Sequence, residues 1–221
     1  MENRPRLFNT RGRHIVLVLL LAAACAGLEQ IVGADDRMPL VPADKQSEAQ
    51  KKAVAEIAAQ NNGTLPVYLN PFVRNPEVMK RVNGLGDYVV RGKTALDRRQ
   101  NELVILLVIR DWSQRYMWSN HQQAALRAGV KPEVVSAIGE GRRPDSLTPD
   151  EAALYDFCTE LLTHRSVSDA TYGRMVTTFG ESGVLDVVGL AGYYTVLSMT
   201  YNTSRMPPTP GGAALPTLIR D

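Results

Sequence analysis

Two side chains in this sequence are suited to moving a proton and fall where water should be scarce. Glu102 opens an otherwise apolar run, residues 102–109, and helical spacing puts it on one side with Ile105, Leu106 and Ile109. Burying a carboxylate there costs several kcal/mol unless it finds a partner. At the edge of the core it would be an ordinary first-turn acid favouring the helix dipole. His121 shares a helical face with Met117, Ala124, Ala125 and Ala128, small residues that admit a close neighbour. A histidine on such a face is either a hydrogen-bonded core residue or an acid–base group. The other two histidines offer less: His14 lies in an N-terminal basic segment, and His164 sits at a helix end, where it can favour the dipole. Three His and two Cys, with no His-x-x-x-His or Glu-x-x-His pair, leave too few ligands for a metal, so no metal is expected. Cys158, among Tyr155, Phe157 and Leu161, reads as a buried core thiol.

If two helices flank the break at Asp111-Trp112-Ser113 and fold back as a hairpin, Glu102 and His121 come level. One stands ten residues before Trp112 and the other nine after it, so each lies about 14–15 Å from the turn. Each is also the odd polar residue on an apolar face, and pairing them would satisfy both. Structural pairing explains such a geometry as well as catalysis does.

The rest of the sequence also reads as helices. Residues 47–60 are good helix formers ended by Asn61-Asn62-Gly63, and 64–74, with Pro66 and Pro71, is irregular. Asn75-Pro76-Glu77 is an N-cap, a proline and an early acid, opening a helix to about Val90. Asp97 with Gln100 resembles a capping box ahead of the apolar run. Further helices are expected from Gln114 to Ala128, after Pro132, after the box Thr148-Pro149-Asp150-Glu151, from Ser168 to Phe179, and from Asp186 to Tyr201. No run alternates apolar and polar residues as a strand would. The fold class is all-α.

Over 221 residues, 25 Lys+Arg face 23 Asp+Glu and 44% of residues are hydrophobic, which excludes a disordered chain and a dedicated nucleic-acid binder. No helix carries a dense basic stripe, and Asn83-Gly84-Leu85-Gly86-Asp87 lacks the third glycine of a phosphate loop. The N-terminus has Arg4, Arg6, Arg11 and Arg13 before an apolar run from Ile15 to Leu28, short for a membrane span, so residues 1–34 read as a secretory signal. Cleavage could follow Val32-Gly33-Ala34 or Ala24-Cys25-Ala26. Leu21 to Cys25 also loosely matches a lipoprotein signal that would acylate Cys25. An uncleaved anchor is the alternative. Removing residues 1–34 takes away four Arg and two Glu, leaving 21 basic and 21 acidic residues. The expected organisation is a signal over 1–34, a linker with one helix over 35–69, a helical domain over 70–205 and a Pro-rich tail over 206–221. The expected location is outside the cytoplasm, with membrane contact only through the signal or a lipid.

Glu102-Leu-Val-Ile-Leu, then Tyr116-x-Trp118-x-x-His121, then Ala124 and Ala128-Gly129-Val130, resembles the carboxymuconolactone decarboxylase family. Val187 to Tyr194, ending in Thr200-Tyr201-Asn202, looks like that family's last core helix. The resemblance spans about residues 70–205. It implies an all-α helical bundle of the alkyl hydroperoxide reductase D-like type built on a helical hairpin, associating as trimers or hexamers. The antioxidant branch, with its peroxiredoxin activity, carries Cys-x-x-Cys before the shared histidine; Gln114 and Met117 stand at those positions here. The decarboxylase branch needs no metal or cofactor. It implies His121 as acid or electrophile, Glu102 as its partner, Tyr116 and Trp118 lining the pocket, and an anionic small-molecule substrate. An arginine should face that anion, and Arg110 and Arg115, flanking the break, are the candidates. The expected activity is therefore an exported decarboxylase acting on a carboxylated lactone or related carbonyl acid. The alternatives are an antioxidant relative without the thiol pair, and a non-catalytic oligomeric binding protein.

Overall fold

The computed structural model describes residues 36–218, and no strand occurs among them. The expected signal and Cys25 lie outside the described residues. From Arg37 onward the chain forms one compact unit. Seven α-helices follow in order: α1 Glu48–Ala59, α2 Pro76–Gly86, α3 Arg98–Asp111, α4 Arg115–Arg127, α5 Pro132–Gly139, α6 Pro149–His164 and α7 Asp169–Ser204. Two shorter elements matter for the site. A 3-10 helix covers Val67–Arg74, and a π-turn, Asp87–Arg91, continues α2.

Helix α3 is the centre. From Leu103 to Ile109 it is apolar around its whole circumference, as a segment without a solvent face must be, and every residue from Asn101 to Arg110 is buried. Helices α4, α6 and α7 pack around it. Burial of Leu103, Ile105, Leu106 and Ile109 contributes about 1.5–3 kcal/mol each. Asp97 caps its start: the side chain accepts from Gln100 N–H, and the Gln100 side chain accepts from Asp97 N–H, both at 2.8 Å.

The hairpin turn is tight because Ser113 takes φ +48°, a left-handed conformation, letting Gln114 cap α4 by accepting from Met117 N–H at 2.9 Å. The same amide donates to Asn202 at the end of α7, and Asn202 donates in turn to Trp112 C=O at 3.0 Å. The turn between α3 and α4 is thereby tied to α7.

Residues 64–74 are more ordered than the irregular stretch their prolines suggest. Pro66 and Pro71 break α-helical hydrogen bonding, yet the chain coils as 3-10 turns that bury Leu69, Phe72 and Val73. In the segment read as a linker with one helix, α1 forms and buries Ala53 and Ile57. Helix α7 contains a kink at Gly180, φ +71° and ψ 168°, where the sequence reads as two helices. The second half starts five residues earlier than Asp186. Gly183 sits inside it, against Phe179 and Ala95, where a Cβ would come within 2.6 Å and 3.0 Å of their side chains. The described part of the Pro-rich tail lies against the bundle: Thr209 N–H donates to Ser119 Oγ, and Pro216 C=O accepts from Arg110.

Candidate active site

Glu102 is in the second turn of α3 and 0% exposed; His121 is in the middle of α4 and 21% exposed. Their side chains meet across the hairpin, with His121 Nδ1 2.9 Å from Glu102 Oε2. A carboxylate only accepts, so Nδ1 carries the proton and Nε2 faces outward. One helical turn before Glu102, on the same face, Arg98 brings Nη2 to 2.7 Å from Oε1. That contact is an ion pair outside hydrogen-bond geometry, leaving Oε1 without a hydrogen-bond partner. The charge of Glu102 is therefore answered on one side by a cation and on the other by the imidazole, which offsets the cost of burying it.

On the other side of the imidazole stands Tyr194 of α7. Its hydroxyl is 3.4 Å from Nε2 and its ring is edge-on, centroids 5.2 Å apart. These groups line a cleft of about 320 Å³, at the lower end of ligand-pocket sizes. Four more tyrosines line it: Tyr68, Tyr116, Tyr193 and Tyr201. They hold one another in place. The Tyr201 hydroxyl donates to Tyr68 C=O at 2.7 Å, Tyr116 meets Tyr201 edge-on at 5.3 Å, and Tyr193 meets Tyr194 edge-on at 5.2 Å. Gly86 makes room for this cluster, since a Cβ there would fall 2.6 Å from the Tyr193 hydroxyl. Burial is the main cause that raises the pKa of Tyr116, Tyr193, Tyr194 and Tyr201, so all four remain neutral hydroxyls at any ordinary pH. Met117 and Leu197 supply apolar wall, and Arg91 of the π-turn stands at the side, ion-paired with Asp87.

The structure brings together some of the residues singled out from the sequence and separates others. His121 and Tyr116 line the cleft, and Glu102 stands behind His121. Trp118 does not reach it: it is buried against Gly139 of α5, with Pro216 of the tail nearby. At about 100° per residue, Tyr116, Asn120, Met117 and His121 fall within roughly 140° of the α4 circumference. Trp118 lies about 60° beyond His121, on the side facing α5, so closeness in helical spacing does not place both in one pocket. Arg110 is eight residues, about 12 Å, along α3 from Glu102. It donates to Gly139 C=O, Pro216 C=O and Ser113 Oγ, a tie between turn, α5 and tail rather than a wall of the cleft. Arg115 is exposed at the start of α4 and does not line the cleft.

Sequence reading missed Arg98, Arg91 and four tyrosines. Arg98 was legible as an acid–base pair at i, i+4 with Glu102. Tyr194, Leu197 and Tyr201 share the i, i+3, i+7 spacing of one helical face, a pattern that core packing also produces. Tyr68 and Arg91 had no such signal, since they sit on a 3-10 turn and a π-turn. Cys158 lies on α6, fully buried, with its thiol pushed up to about 12 by burial. No group of His, Cys, Asp and Glu able to hold a metal ion occurs among the described residues.

Residues 76–160, from α2 to most of α6, match the model of the Carboxymuconolactone decarboxylase family. No curated protein matches the chain in sequence. Several solved structures share its fold. An uncharacterized peroxidase-related protein from Silicibacter sp. TM1040 superposes with a TM-score of 0.64 at 16% identity, covering 80% of this chain and 93% of that one. The alkylhydroperoxidase AhpD core protein from Ralstonia eutropha JMP134, also described as peroxidase-related, gives 0.63 at 15%, covering 78% and 92%. The debrominase Bmp8 gives 0.60 at 15%, covering 78% and 91%. At these identities the likeness is one of fold. The family match spans both helices of the hairpin, and the chain has the alkyl hydroperoxide reductase D-like fold of these structures.

Proposed function

We propose that the chain is a cofactor-free acid–base enzyme of the decarboxylase type, acting on a small carboxylated lactone or related carbonyl acid. One observation carries this reading: the 2.9 Å contact between the buried Glu102 and His121 Nδ1, which leaves Nε2 directed toward a tyrosine-lined cleft. In the reaction the bond from carbon to the departing carboxylate breaks and carbon dioxide leaves. The electron pair passes into the conjugated carbonyl, giving an enolate. Protonated His121 then delivers the proton from Nε2 to carbon, while the neutral Tyr194 hydroxyl is placed to donate to the enolate oxygen. Glu102, held by Arg98, fixes the ring and stabilises the imidazolium form that donates.

A positioned general acid contributes roughly 10²–10⁴-fold to a rate. His121→Asn is therefore expected to lower kcat by about 100-fold or more, and Glu102→Gln by a smaller but clear factor. Carbon dioxide release from a panel of carboxylated lactones measures both, with circular dichroism to confirm that the buried Glu102→Gln variant is folded. Wild-type turnover in both variants would overturn the assignment. The thiol route of peroxide reduction is not favoured at this cleft: the groups on Nε2 and Nδ1 are a phenol and a carboxylate.

A further inference from the structure

We propose that two copies of this chain pair antiparallel through the outer face of α7, about a two-fold axis that passes at Gly192. Between Gly183 and Thr200 the exposed residues of α7 are Leu185, Val188, Gly192, Val196 and Met199, with no polar side chain among them. At about 100° per residue they fall within roughly 80° of the helix circumference, one straight stripe. The stripe is symmetric. Leu185 and Met199 stand seven residues either side of Gly192, and Val188 and Val196 stand four. A two-fold contact uses the same patch on both partners. With Gly192 on the axis, Leu185 meets the partner's Met199 and Val188 meets the partner's Val196, so an apolar side chain opposes an apolar side chain at every level.

Gly192 supplies a second argument. Glycine is the poorest helix former after proline, and nothing in the rest of the chain requires one here: no atom lies within 4 Å of a Cβ built at this position. A glycine lets another backbone approach closely, as a helix crossing on this axis must. Leu85 and Tyr88 are exposed too and widen the patch at one end. The Tyr88 hydroxyl donates to Asp186 at 2.8 Å, which holds the ring beside Leu185. The partner's Met199 arrives at that end, and a thioether against an aromatic ring is a favourable contact. A membrane surface suits this face less. Between Arg174 and Arg205 the helix has no Lys or Arg to meet lipid phosphates, and a bilayer calls for no symmetry. The stripe is turned about 150° from Tyr193, Tyr194, Leu197 and Tyr201, the α7 residues of the cleft. Pairing therefore leaves the cleft open, and the contact stands independently of the proposed reaction. Of the trimers and hexamers implied by resemblance, only a hexamer holds such pairs.

Cysteine crosslinking in the full chain carrying Cys25→Ser tests the pairing, with Cys158 buried and out of reach of the oxidant. In an antiparallel pair Leu185 lies about 21 Å along the axis from its own mate, and so does Met199. A disulfide spans only about 4.4–6.8 Å between Cα atoms. Under copper–phenanthroline oxidation at micromolar concentration, Leu185→Cys and Met199→Cys should each stay uncrosslinked. The double variant should form covalent dimers at least tenfold faster than either, and Gly192→Cys, on the axis, should crosslink to itself. Either outer variant alone crosslinking as fast as the double would mean a parallel or head-to-tail contact and overturn the inference. Gly192→Leu provides the non-covalent arm. Sedimentation should show association weakened at least tenfold, while the thermal midpoint of the dissociated chain is not lowered, because the added side chain meets nothing in its own fold. Unchanged association in Gly192→Leu would count against the axis. A wild-type monomer that sediments with phosphatidylcholine vesicles would give the face to a membrane instead.

Discussion

At the scale of single residues, what distinguishes the site is how the charge on Glu102 is answered. A fully buried carboxylate at the head of a run of Leu, Val and Ile is tolerated because Arg98 and His121 approach it from two sides. The same reasoning sets Cys158 apart. Its thiol lies in the core, far from any compensating charge, and burial pushes it up to about 12. The reactive thiolate is thus suppressed throughout the ordinary pH range. A disulfide reagent such as dithionitrobenzoate at pH 8 is expected to leave Cys158 unmodified in the native chain and to label it on unfolding in urea. Labelling at the rate of a free thiol, or a loss of turnover in Cys158→Ser, would contradict this. The chain used should carry Cys25→Ser, so that only one thiol reports.

At the scale of elements, the start of α3 must be held for Glu102 to meet His121. Asp97 caps the helix, and the next turn is fastened to α6. Arg99 pairs with Asp150 at 2.7 Å and with Glu151, while Gln100 donates to Asp150 at 2.8 Å. Glu151 is itself buried and accepts from Thr148 N–H. Burial acts to raise the pKa of Asp150, but hydrogen bonds from Thr148, Gln100 and Arg99 outweigh it and hold the carboxyl well below the usual carboxylate range. Arg99→Met removes the cation and strands two carboxylates, with an expected loss of roughly 2–3 kcal/mol at pH 7. Urea unfolding measures it. A depressed folded-state pKa gives stability that is present above the unfolded value, about 3.9 for Asp, and is lost as pH falls through the lower folded value. The gap between wild type and Arg99→Met should therefore narrow below about pH 4. A gap that stays constant into acid would mean the carboxylates are not its source.

At the scale of the whole molecule, one face is left unfinished. On α7, Leu185, Val188, Val196 and Met199 are exposed, Leu185 by 70%. With Gly192 between them they step by three, four, four and three residues, the spacing of one face of a helix. Exposed apolar residues also lie on α2 and its π-turn, Leu85 and Tyr88. Isolated exposed hydrophobics are ordinary, but a row of them marks an interaction surface. We expect this face to mediate self-association, as a trimer or a multiple of it by family resemblance. Light scattering on the purified chain is the measurement. Leu185→Glu should shift the wild-type oligomer toward monomer. A wild-type monomer at micromolar concentration, or an unaltered oligomer in the variant, would remove the assignment.

Sequence alone determined the parts of this protein that depend on neighbours along one chain segment. The caps at Ser47, Asn75, Asp97 and Ser168 and the breaks at Ser113 and Gly129 follow from local hydrogen bonding and backbone sterics, and helices begin and end beside them. The level pairing of Glu102 and His121 was also legible, because a short turn and a fixed rise per residue leave an antiparallel hairpin little freedom. Other features needed the third dimension. Whether Trp118 or Tyr194 shares space with His121 depends on which helix covers each side of α4, and residues 60° apart on one helix can face different partners. Arg110 looked like an anion-binding group from its place beside the break. Only the approach of α5 and the tail turned it into a structural tie. Tyr68, Arg91 and Tyr194, drawn to one cleft from a 3-10 turn, a π-turn and the last helix, are up to 126 residues apart in sequence, and no local pattern encodes their meeting.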